Sequence, residues 1–299
     1  MLIIILRIIL GITFLCSACF KLISIDEFEL YIFSHNIFSL NFSFIIARLV
    51  ISFEFFIGIM LILKLYFKKI WIISVLALIL FTIYLSIIAI SSNTGNCHCF
   101  GEFLEMTPLE SIFKNLLLLL LFFFIRKEYE FQFKYKLPLT LALLFVSIAL
   151  PIIVSPPDFL YKKEYSIKTI VNENGLDSII FKNNNFPEII NSEKKILCFY
   201  SPACKFCKLS EKKISSIVSR HKLDSKNFLN IFWGNPEHLE AFYSGISIKH
   251  ESVFIQAQDF LHITEGKMPL ILLIENHTIK EKFGYRNIDE DIIVNFLSN

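Results

Sequence analysis

Long apolar runs alternate with short polar segments over the first half of the chain. Each run is long enough, or nearly so, to cross the hydrocarbon core of a bilayer as an α-helix. The five runs cover residues 2–22, 42–63, 70–90, 109–125 and 137–154. The fourth begins with Thr107-Pro108-Leu109-Glu110, which predicts a capping box with proline at the first helical position. The pattern predicts an α-helical membrane bundle.

The pattern changes after about residue 155 to that of a soluble α/β domain. A short strand-like run, 196–200, is broken by Ser201-Pro202, and a helical pattern follows. The helix face expected to be buried contains Cys207, Ile214, Ile217, Val218 and His221. Most lysines and serines of this helix are expected on the exposed face. A second buried strand is predicted at 270–274.

Composition and charge narrow the possible functions. The chain is 55% hydrophobic with 33 Phe, concentrated in the first half. Its net charge of +2 is too small to indicate nucleic-acid binding. We therefore expect the lipid bilayer as the main partner of the first half and no nucleic acid as a partner of either half.

Between the apolar runs, lysine and arginine occur only after the even-numbered runs, which sets the expected orientation. These basic residues are Lys64, Lys68, Lys69, Arg126, Lys127, Lys134 and Lys136. The intervening segments 23–41 and 91–107 contain acidic residues but no lysine or arginine. By the positive-inside rule the basic loops are cytoplasmic. We expect a multi-pass inner-membrane protein whose C-terminal domain is extracytoplasmic, or periplasmic.

Cys204 and Cys207 are predicted to lie in the first turn of the helix that follows the 196–200 strand. The free N–H groups at a helix N-terminus stabilise a thiolate, and Lys205 adds a neighbouring positive charge. Two cysteines three residues apart can also close a disulfide. The alternative is half of a zinc site, but the scattered histidines of this domain offer no second ligand pair.

Residues 165–299 resemble the thioredoxin fold. The resemblance is carried by Phe-Tyr-Ser-Pro-Ala-Cys-Lys-Phe-Cys-Lys at 199–208 and by Met268-Pro269 before the 270–274 strand. It implies that Pro269 is a cis-proline, and that Met268 and Pro269 bind the substrate peptide beside the cysteines. The family carries a buried carboxylate six positions before the first active-site cysteine, where this chain has Cys198. We expect Cys198 to be an inert core thiol.

A second cysteine pair, Cys97-His98-Cys99, lies in the segment between the third and fourth apolar runs. The predicted topology places it on the same side of the membrane as Cys204 and Cys207, where disulfides persist. A ring closed between residues two apart is expected to be reduced easily. The alternatives are a structural disulfide and a soft-metal site with His98 as third ligand.

Residues 1–130 resemble the MauE branch of the DoxX-like membrane proteins. The resemblance rests on Asn96-Cys-His-Cys-Phe-Gly-Glu, on the opening Leu-Arg-Ile-Ile-Leu-Gly with Lys21, and on Glu54 in the second run. It implies a four-helix domain of disulfide metabolism, similar in layout to the vitamin K epoxide reductase and DsbB group. We expect three parts: this domain at 1–130, a fifth span and linker at 131–160, and the thioredoxin-like domain at 161–299.

Other polar groups within the apolar runs have simpler interpretations. Cys16 and Cys19 are one helical turn apart at the depth of Arg48, and packing residues are the favoured interpretation. Arg7 and Glu54 lie about one turn apart in depth, which favours a structural ion pair.

The sequence thus predicts a membrane-anchored thiol–disulfide oxidoreductase that acts on extracytoplasmic proteins. Cys204, Cys207, Cys97 and Cys99 are the predicted catalytic residues, with no covalently bound cofactor and no metal. The resemblance implies a membrane quinone as the next electron carrier. Two alternatives stay open: a soft-metal-binding or metallochaperone protein, and a thioredoxin-like reductase on a passive membrane anchor.

Overall fold

A computed structural model describes residues 2–90, 99–102, 106–126, 134–160, 171–177 and 193–298. The chain divides into two compact units. The first, here called the helical unit, contains Met1–Ile32 and Phe42–Pro156. The second, the α/β unit, contains Phe33–Asn41 and Pro157–Asn299.

The predicted five spans are confirmed as helices in the helical unit. Its elements are α1 (Leu2–Ile23), α2 (Ile25–Ser34), α3 (Leu40–Leu63), α4 (Phe67–Ile90), β1 (Cys99–Glu102), α5 (Pro108–Ile125) and α6 (Lys136–Val154). Among the described residues, α1, α3, α4, α5 and α6 are long and apolar enough to cross a membrane. The capping box is also confirmed: Thr107 accepts from the Glu110 N–H, and the Glu110 carboxylate accepts from the Thr107 N–H at 2.8 Å. The short helix α2 is not predicted by the apolar pattern.

Close packing of α1 on α3 depends on a pair of glycines. A Cβ atom at Gly11 would lie 2.9 Å from the Gly58 carbonyl oxygen, and a Cβ atom at Gly58 would lie equally close to the Gly11 carbonyl oxygen. Small residues at such a crossing let two helix backbones approach each other. The neighbouring core combines apolar side chains of α1, α3, α4 and α5, and the Trp71 indole of α4 donates to the Phe122 carbonyl of α5 at 2.9 Å.

Two sets of polar contacts involve the segments that connect the helices of the helical unit. Lys136, at the start of α6, lies over the ring of Tyr66 in the turn between α3 and α4, 4.9 Å from its centroid. This contact brings together the segments that carry the basic residues. Arg48 of α3 instead pairs with Glu29 of α2 at 2.5 Å and donates to the Ser155 carbonyl after α6.

The α/β unit is built around a mixed sheet. Its elements are α7 (Glu173–Leu176), β2 (Lys194–Tyr200), α8 (Lys205–His221), β3 (Phe228–Phe232), α9 (Leu239–Tyr243), β4 (Glu251–Phe254), α10 (Ala257–Thr264), β5 (Leu270–Glu275), β6 (Thr278–Phe283) and α11 (Glu290–Ser298). The described residues form a five-stranded sheet in the order β4-β3-β2-β5-β6. β4, β3 and β2 are parallel, whereas β5 is antiparallel to both β2 and β6. This topology is compatible with the predicted thioredoxin-like fold.

The central strand β2 is buried on both faces. Leu197 and Phe199 point to a core shared with β3, β5, α7 and α10. Because side chains alternate along a strand, Cys198 and Tyr200 point to the opposite face. Helix α8 packs on that face, where Asn230 of β3 donates to its Glu211 at 2.8 Å.

The prediction of which α8 side chains are buried and which are exposed is partly wrong. Cys207, Ile214, Ile217 and Val218 are buried as expected, but His221 is exposed, 2.9 Å from the Glu290 carboxylate. Several polar residues are buried instead: Ser210, Glu211, Lys213 and Ser215. A buried lysine or glutamate needs a partner, and helical periodicity contains no information about partners on other elements.

Lys213 shows how such a charge is accommodated. It is 1% exposed and lies 2.9 Å from Asp158, which follows the proline-rich segment after α6. Arg286 binds the other oxygen of Asp158 at 2.7 Å. Lys213 also donates to the Tyr285 carbonyl at 3.1 Å. The start of the α/β unit is thereby fixed to α8 and to the turn after β6.

The short segment Phe33–Asn41 folds with the α/β unit. The Leu40 N–H donates to the Glu290 carboxylate of α11 at 2.9 Å. Arg220 of α8 donates to the Phe38 carbonyl and lies over the Phe33 ring. This segment belongs to the 23–41 stretch that the charge pattern predicts outside the cytoplasm.

Candidate active site

The cysteine pair of the α/β unit lies at the N-terminus of α8. Cys204 is the N-cap residue, and its sulfur accepts a hydrogen bond from the Cys207 N–H at 3.3 Å. The preceding turn is closed by the Cys204 N–H, which donates to the Ser201 carbonyl at 3.0 Å. The Cys204 sulfur therefore sits where the free N–H groups and the positive end of the helix dipole act on it.

The two thiols differ in exposure and acidity. Cys204 is half-buried, whereas Cys207 is fully buried. Hydrogen bonding from the Cys207 thiol is the main cause that lowers the pKa of Cys204 to about 6. The backbone N–H groups of Cys207 and Phe206 also lower this pKa, whereas partial burial raises it. Burial, followed by its contacts with Cys204, raises the pKa of Cys207. Cys204 is thus a thiolate at neutral pH, and Cys207 holds its proton.

Lys205 does not have the role that the sequence analysis gave it. Its side chain is exposed, and the groups that lower the pKa of Cys204 are hydrogen-bond donors within the first helical turn. The neighbouring Phe206 is 44% exposed, with its ring 5.1 Å from that of Tyr285. An exposed aromatic side chain therefore flanks the thiolate.

Met268 and Pro269 lie at the same end of the sheet as the cysteines. The peptide bond between them is cis, as the resemblance implies. Leu270 pairs with Phe199 in the antiparallel register of β2 and β5, so Pro269 is at the position opposite Tyr200. Tyr200 is the last residue of β2, from which the chain leads to Cys204. Met268 is half-buried against the core, and Pro269 is buried.

A buried polar cluster behind Cys207 was not predicted from the sequence. Glu211 lies one helical turn after Cys207 and is fully buried. Its Oε1 accepts from Asn230 at 2.8 Å and lies 2.8 Å from His250 Nδ1. Asn230 also donates to the Tyr243 hydroxyl at 2.9 Å. The i, i+4 spacing from Cys207 is the one signal in the sequence that places Glu211 on the same helix face.

Cys198 is a free, fully buried thiol, as predicted. Burial, and then the nearby Glu211 carboxylate, raises its pKa well above the ordinary value. Cys198 occupies the strand position at which the resemblance expects a carboxylate. In this chain the buried carboxylate, Glu211, comes from α8 instead.

The second predicted cysteine pair falls only partly within the described residues. Cys97 and His98 lie outside them. Cys99 begins β1, is 2% exposed and is disulfide-bonded. Its carbonyl accepts a hydrogen bond from the Ser17 hydroxyl of α1 at 2.9 Å. The sequence predicts Cys97 as the other half of this disulfide.

Gly101 allows β1 to lie directly on α1. Its φ is 61°, in the left-handed region that favours glycine. A Cβ atom there would collide with the Ser24 hydroxyl and with the Phe20 carbonyl. This packing therefore explains, on steric grounds, why the Cys-x-Cys-Phe-Gly motif ends in glycine.

The predicted ion pair between Arg7 and Glu54 is wrong. Arg7 donates to the carbonyls of Leu61 and Ile62 at 2.5 and 2.6 Å. Glu54 instead binds Lys21 at 2.6 Å. The reason is the antiparallel crossing of α1 and α3 at the glycine pair, which brings Arg7 beside the last turn of α3.

Cys16 and Cys19 remain unconnected to either pair. Both are free; Cys16 is half-buried and Cys19 is exposed. The sequence predicts both cysteines at the depth of Arg48. The Arg48 side chain binds Glu29 and backbone carbonyls. Among the described residues, no group of three or more His, Cys, Asp or Glu could hold a metal ion.

Comparison with known proteins gives a family match and a curated relative. Residues 1–126 match the family model of the methylamine utilisation protein MauE, so this unit contains a MauE-type membrane domain. Protein TlpB of Flavobacterium psychrophilum is 36% identical over 119 residues, 37% of this chain and 32% of that protein. The chain thus spans about a third of the length of this curated relative. No solved structure matches.

Proposed function

We propose that this protein is a membrane-anchored thiol–disulfide oxidoreductase with Cys204 as its nucleophile. The observation that carries the proposal is the half-buried Cys204 sulfur at the start of α8, which receives hydrogen bonds from Cys207. A thiolate is the reactive form in thiol–disulfide exchange, and this site holds one at neutral pH. The buried Cys207, three residues on, is the resolving cysteine.

The exchange runs through a mixed disulfide. In the oxidised domain, a substrate thiolate attacks the Cys204 sulfur, the Cys204–Cys207 bond breaks, and the electron pair leaves on Cys207, which takes a proton. A second substrate thiolate then displaces Cys204, which leaves as the thiolate. The substrate gains a disulfide and the domain gains two electrons. A stabilised Cys204 thiolate makes the domain disulfide the stronger oxidant, so we propose disulfide donation as the direction.

The next step returns the electrons to the membrane. We propose that Cys204 attacks the disulfide of Cys99, with Cys97 as the predicted partner, and that Cys207 resolves the product. A membrane quinone is the proposed final acceptor of the two electrons and two protons. The buried, disulfide-bonded Cys99 in a MauE-type domain supports this relay.

Proposed substrates are extracytoplasmic proteins with thiols or disulfides. Met268 and Pro269, at the sheet end that carries Cys204, supply the proposed peptide-binding surface, and the exposed Phe206 extends it. The outward orientation of the α/β unit follows from the basic loops. It is supported by Phe33–Asn41, which folds with that unit and belongs to a stretch without lysine or arginine.

Replacement of the resolving cysteine tests the relay. In Cys207→Ser, the mixed disulfide between Cys204 and the helical unit cannot be resolved and should accumulate. Full-length protein is alkylated in the membrane, digested without reductant and analysed by mass spectrometry. The expected product is a Cys204 peptide linked to the peptide that contains Cys97 and Cys99.

Two further variants identify the partner. Adding Cys97→Ser with Cys99→Ser should remove the linked peptide, whereas adding Cys16→Ser with Cys19→Ser should leave it unchanged. If no linked peptide forms while Cys204 still reacts with iodoacetamide, the two pairs do not exchange and the helical unit is a passive anchor.

A further inference from the structure

The turn between β6 and α11, residues 284–287, contacts both parts of the candidate active site. A Cβ atom at Gly284 would lie 3.7 Å from the Pro269 carbonyl oxygen, so the start of this turn is in contact with the cis-proline segment. The Tyr285 ring lies 5.1 Å, between centroids, from the ring of Phe206 in the first turn of α8. The β6–α11 turn is therefore a third wall of the site.

Phe206 presents an exposed ring next to the nucleophile. Its backbone N–H is one of the groups that lower the pKa of Cys204, so the residue is in direct contact with the reactive sulfur. Its side chain is 44% exposed, whereas Tyr285, against which it packs, is only 6% exposed. A substrate that forms a disulfide with Cys204 therefore meets an apolar ring that rests on a buried one.

A buried lysine of α8 holds Tyr285 in place. Lys213 Nζ lies 3.9 Å from the centroid of the Tyr285 ring and donates to the Tyr285 carbonyl at 3.1 Å. Asp158 accepts from Lys213 at 2.9 Å and from Arg286, the next residue of the turn, at 2.7 Å. The ring and the backbone of the turn are thus both fixed by the Lys213–Asp158 pair.

Stability alone is a weak explanation for this pair. Lys213 and Asp158 are 1% and 5% exposed, and the cost of removing two charges from water offsets much of their attraction. Buried polar groups can instead select one conformation of the chain. Here the contacts of the pair with Tyr285 and Arg286 fix the conformation of the turn that supports Phe206.

We propose that the Phe206–Tyr285 ring pair selects substrates with an apolar side chain beside the reactive cysteine, and that Lys213 and Asp158 position this pair. The proposal rests on the proposed function, in which a substrate thiolate attacks the Cys204 sulfur. An apolar side chain next to the substrate cysteine loses water-exposed surface against the Phe206 ring as the new bond forms. A small polar side chain gains much less. Lys213 and Asp158 act through Tyr285 and are positioning residues.

The test compares two synthetic peptides in full-length protein that carries Cys97→Ser with Cys99→Ser. Each peptide contains two cysteines joined by a Gly-Ser linker, with leucine before each cysteine in one peptide and serine in the other. When a peptide closes its disulfide, two electrons pass to the Cys204–Cys207 pair; Cys207 takes one proton and solvent takes the other. Samples are quenched in acid and labelled, and mass spectrometry of the Cys204–Cys207 peptide gives the rate.

Two reference reactions separate peptide recognition from sulfur chemistry. Each peptide rate is divided by the rate of the same peptide with oxidised glutathione, which removes differences between the peptide thiols. Reduction of the domain by dithiothreitol reports the reactivity of the Cys204–Cys207 disulfide without a peptide side chain. A variant that disturbs the cysteines themselves changes the dithiothreitol rate, whereas a variant that changes only recognition does not.

The corrected rate should be about tenfold higher for the leucine peptide than for the serine peptide. Phe206→Ala should lower this ratio by about fivefold or more, because it removes the apolar ring, and it should leave the dithiothreitol rate unchanged. Tyr285→Leu, which removes the supporting ring, should lower the ratio in the same direction. Lys213→Met with Asp158→Asn should do the same, and this double variant leaves neither of the two charges buried without the other.

Ile292→Ala is the matched control. Ile292 is another exposed apolar side chain of the α/β unit, at 37%, and it lies in the first turn of α11. That turn begins with Glu290, which contacts His221 at the far end of α8 from Cys204. The substitution should leave both the ratio and the dithiothreitol rate unchanged.

Three results would contradict different parts of the proposal. An unchanged ratio in Phe206→Ala would overturn selection by the ring pair. A lowered ratio there, with unchanged ratios in Tyr285→Leu and in the Lys213 and Asp158 variant, would overturn the positioning role. If the oxidised domain exchanged with neither peptide, while dithiothreitol still reduced it, the proposed function itself would fail together with this inference.

Discussion

The two sulfur sites of this protein are built from different kinds of neighbouring groups. At Cys204 the donors are backbone N–H groups and the Cys207 thiol, all within one helical turn. At Cys99 the neighbours are side chains from separate helices, Lys21 and Lys114, around a cavity. A helix N-terminus is a local device that any strand-to-helix turn can supply. Cys99 begins a short strand, so its surroundings are set by tertiary packing.

This difference also separates the two sites in their sensitivity to substitution. The environment of Cys204 is set by a few consecutive residues and by the fixed geometry of α8. The environment of Cys99 depends on the approach of β1 to α1 and on a partly buried ion pair between α1 and α3.

The largest expected effect is all-or-none and concerns the side of the membrane. A reporter that is active only outside the cytoplasm should be active when fused after Asn299 and silent when inserted at 64–69, because the basic loops stay inside. Activity is measured in cells with matched expression levels.

The opposite pattern would remove the basis of the comparison. The α/β unit would then lie in a reducing compartment, and disulfide donation through Cys204 would not be sustained there. A reporter inserted at 127–133, the other basic segment, should be silent like the one at 64–69.

The next effect concerns how β1 is held on α1. Gly101→Ala places a Cβ atom against the Phe20 carbonyl and at a φ of 61°, so β1 should detach. A left-handed conformation alone costs an L-residue roughly 1–2 kcal/mol, which corresponds to about a tenfold rise in the open form. The rate at which dithiothreitol reduces the Cys99 disulfide should rise at least by that factor.

Gly245→Ala is the control for backbone strain without a collision. Gly245 has a φ of 73°, and no atom of the described residues lies within 4 Å of an added Cβ. It lies in the α/β unit, so it should leave the reduction rate of the Cys99 disulfide unchanged. An unaltered rate in Gly101→Ala would show that contact with α1 does not protect this disulfide.

The sequence was most informative where one property extends over many residues. Five uninterrupted apolar runs predicted five helices, and the Thr107 to Glu110 pattern predicted its capping box, because both depend on local chemistry. The helix start at Cys204 also followed from a short motif, and the resemblance to the thioredoxin fold implied the cis peptide before Pro269. In each case the interacting atoms lie within a few residues of one another.

Contacts between distant residues were the part that could not be predicted. Glu54 was paired with Arg7 by estimated depth, whereas the glycine crossing of α1 and α3 gives it Lys21. Lys213 was expected on the exposed face with most lysines of this helix, yet Asp158 compensates it from another element. Glu211 was not predicted, and its partner His250 also comes from another element. A partner 39 or 55 residues away leaves no trace in helical periodicity.

The smallest expected effect separates the two causes of acidity at Cys204. Cys207→Ala removes the thiol donor but keeps the backbone N–H groups, so the pKa of Cys204 should rise from about 6 by about one to two pH units. Cys207→Ser keeps a hydroxyl donor at the same position and should produce a smaller rise. The measurement is the pH dependence of the rate at which iodoacetamide labels Cys204.

The same substitution also changes how the stability of the reduced fold depends on pH. A thiol whose pKa is lowered by folding stabilises the reduced fold at pH above its ordinary pKa, and this contribution disappears as the pH falls through about 6. In Cys207→Ala the loss should occur at higher pH, closer to the ordinary thiol value. The shift is measured by urea unfolding of the reduced full-length protein between pH 5 and 9, with proteolysis of the α/β unit as the readout.

Equal pKa values for Cys204 in the alanine and serine variants would show that the backbone alone sets its acidity. The contrast with Cys99 would then be one of backbone groups within one helical turn against side chains from separate helices, without a contribution from the second cysteine.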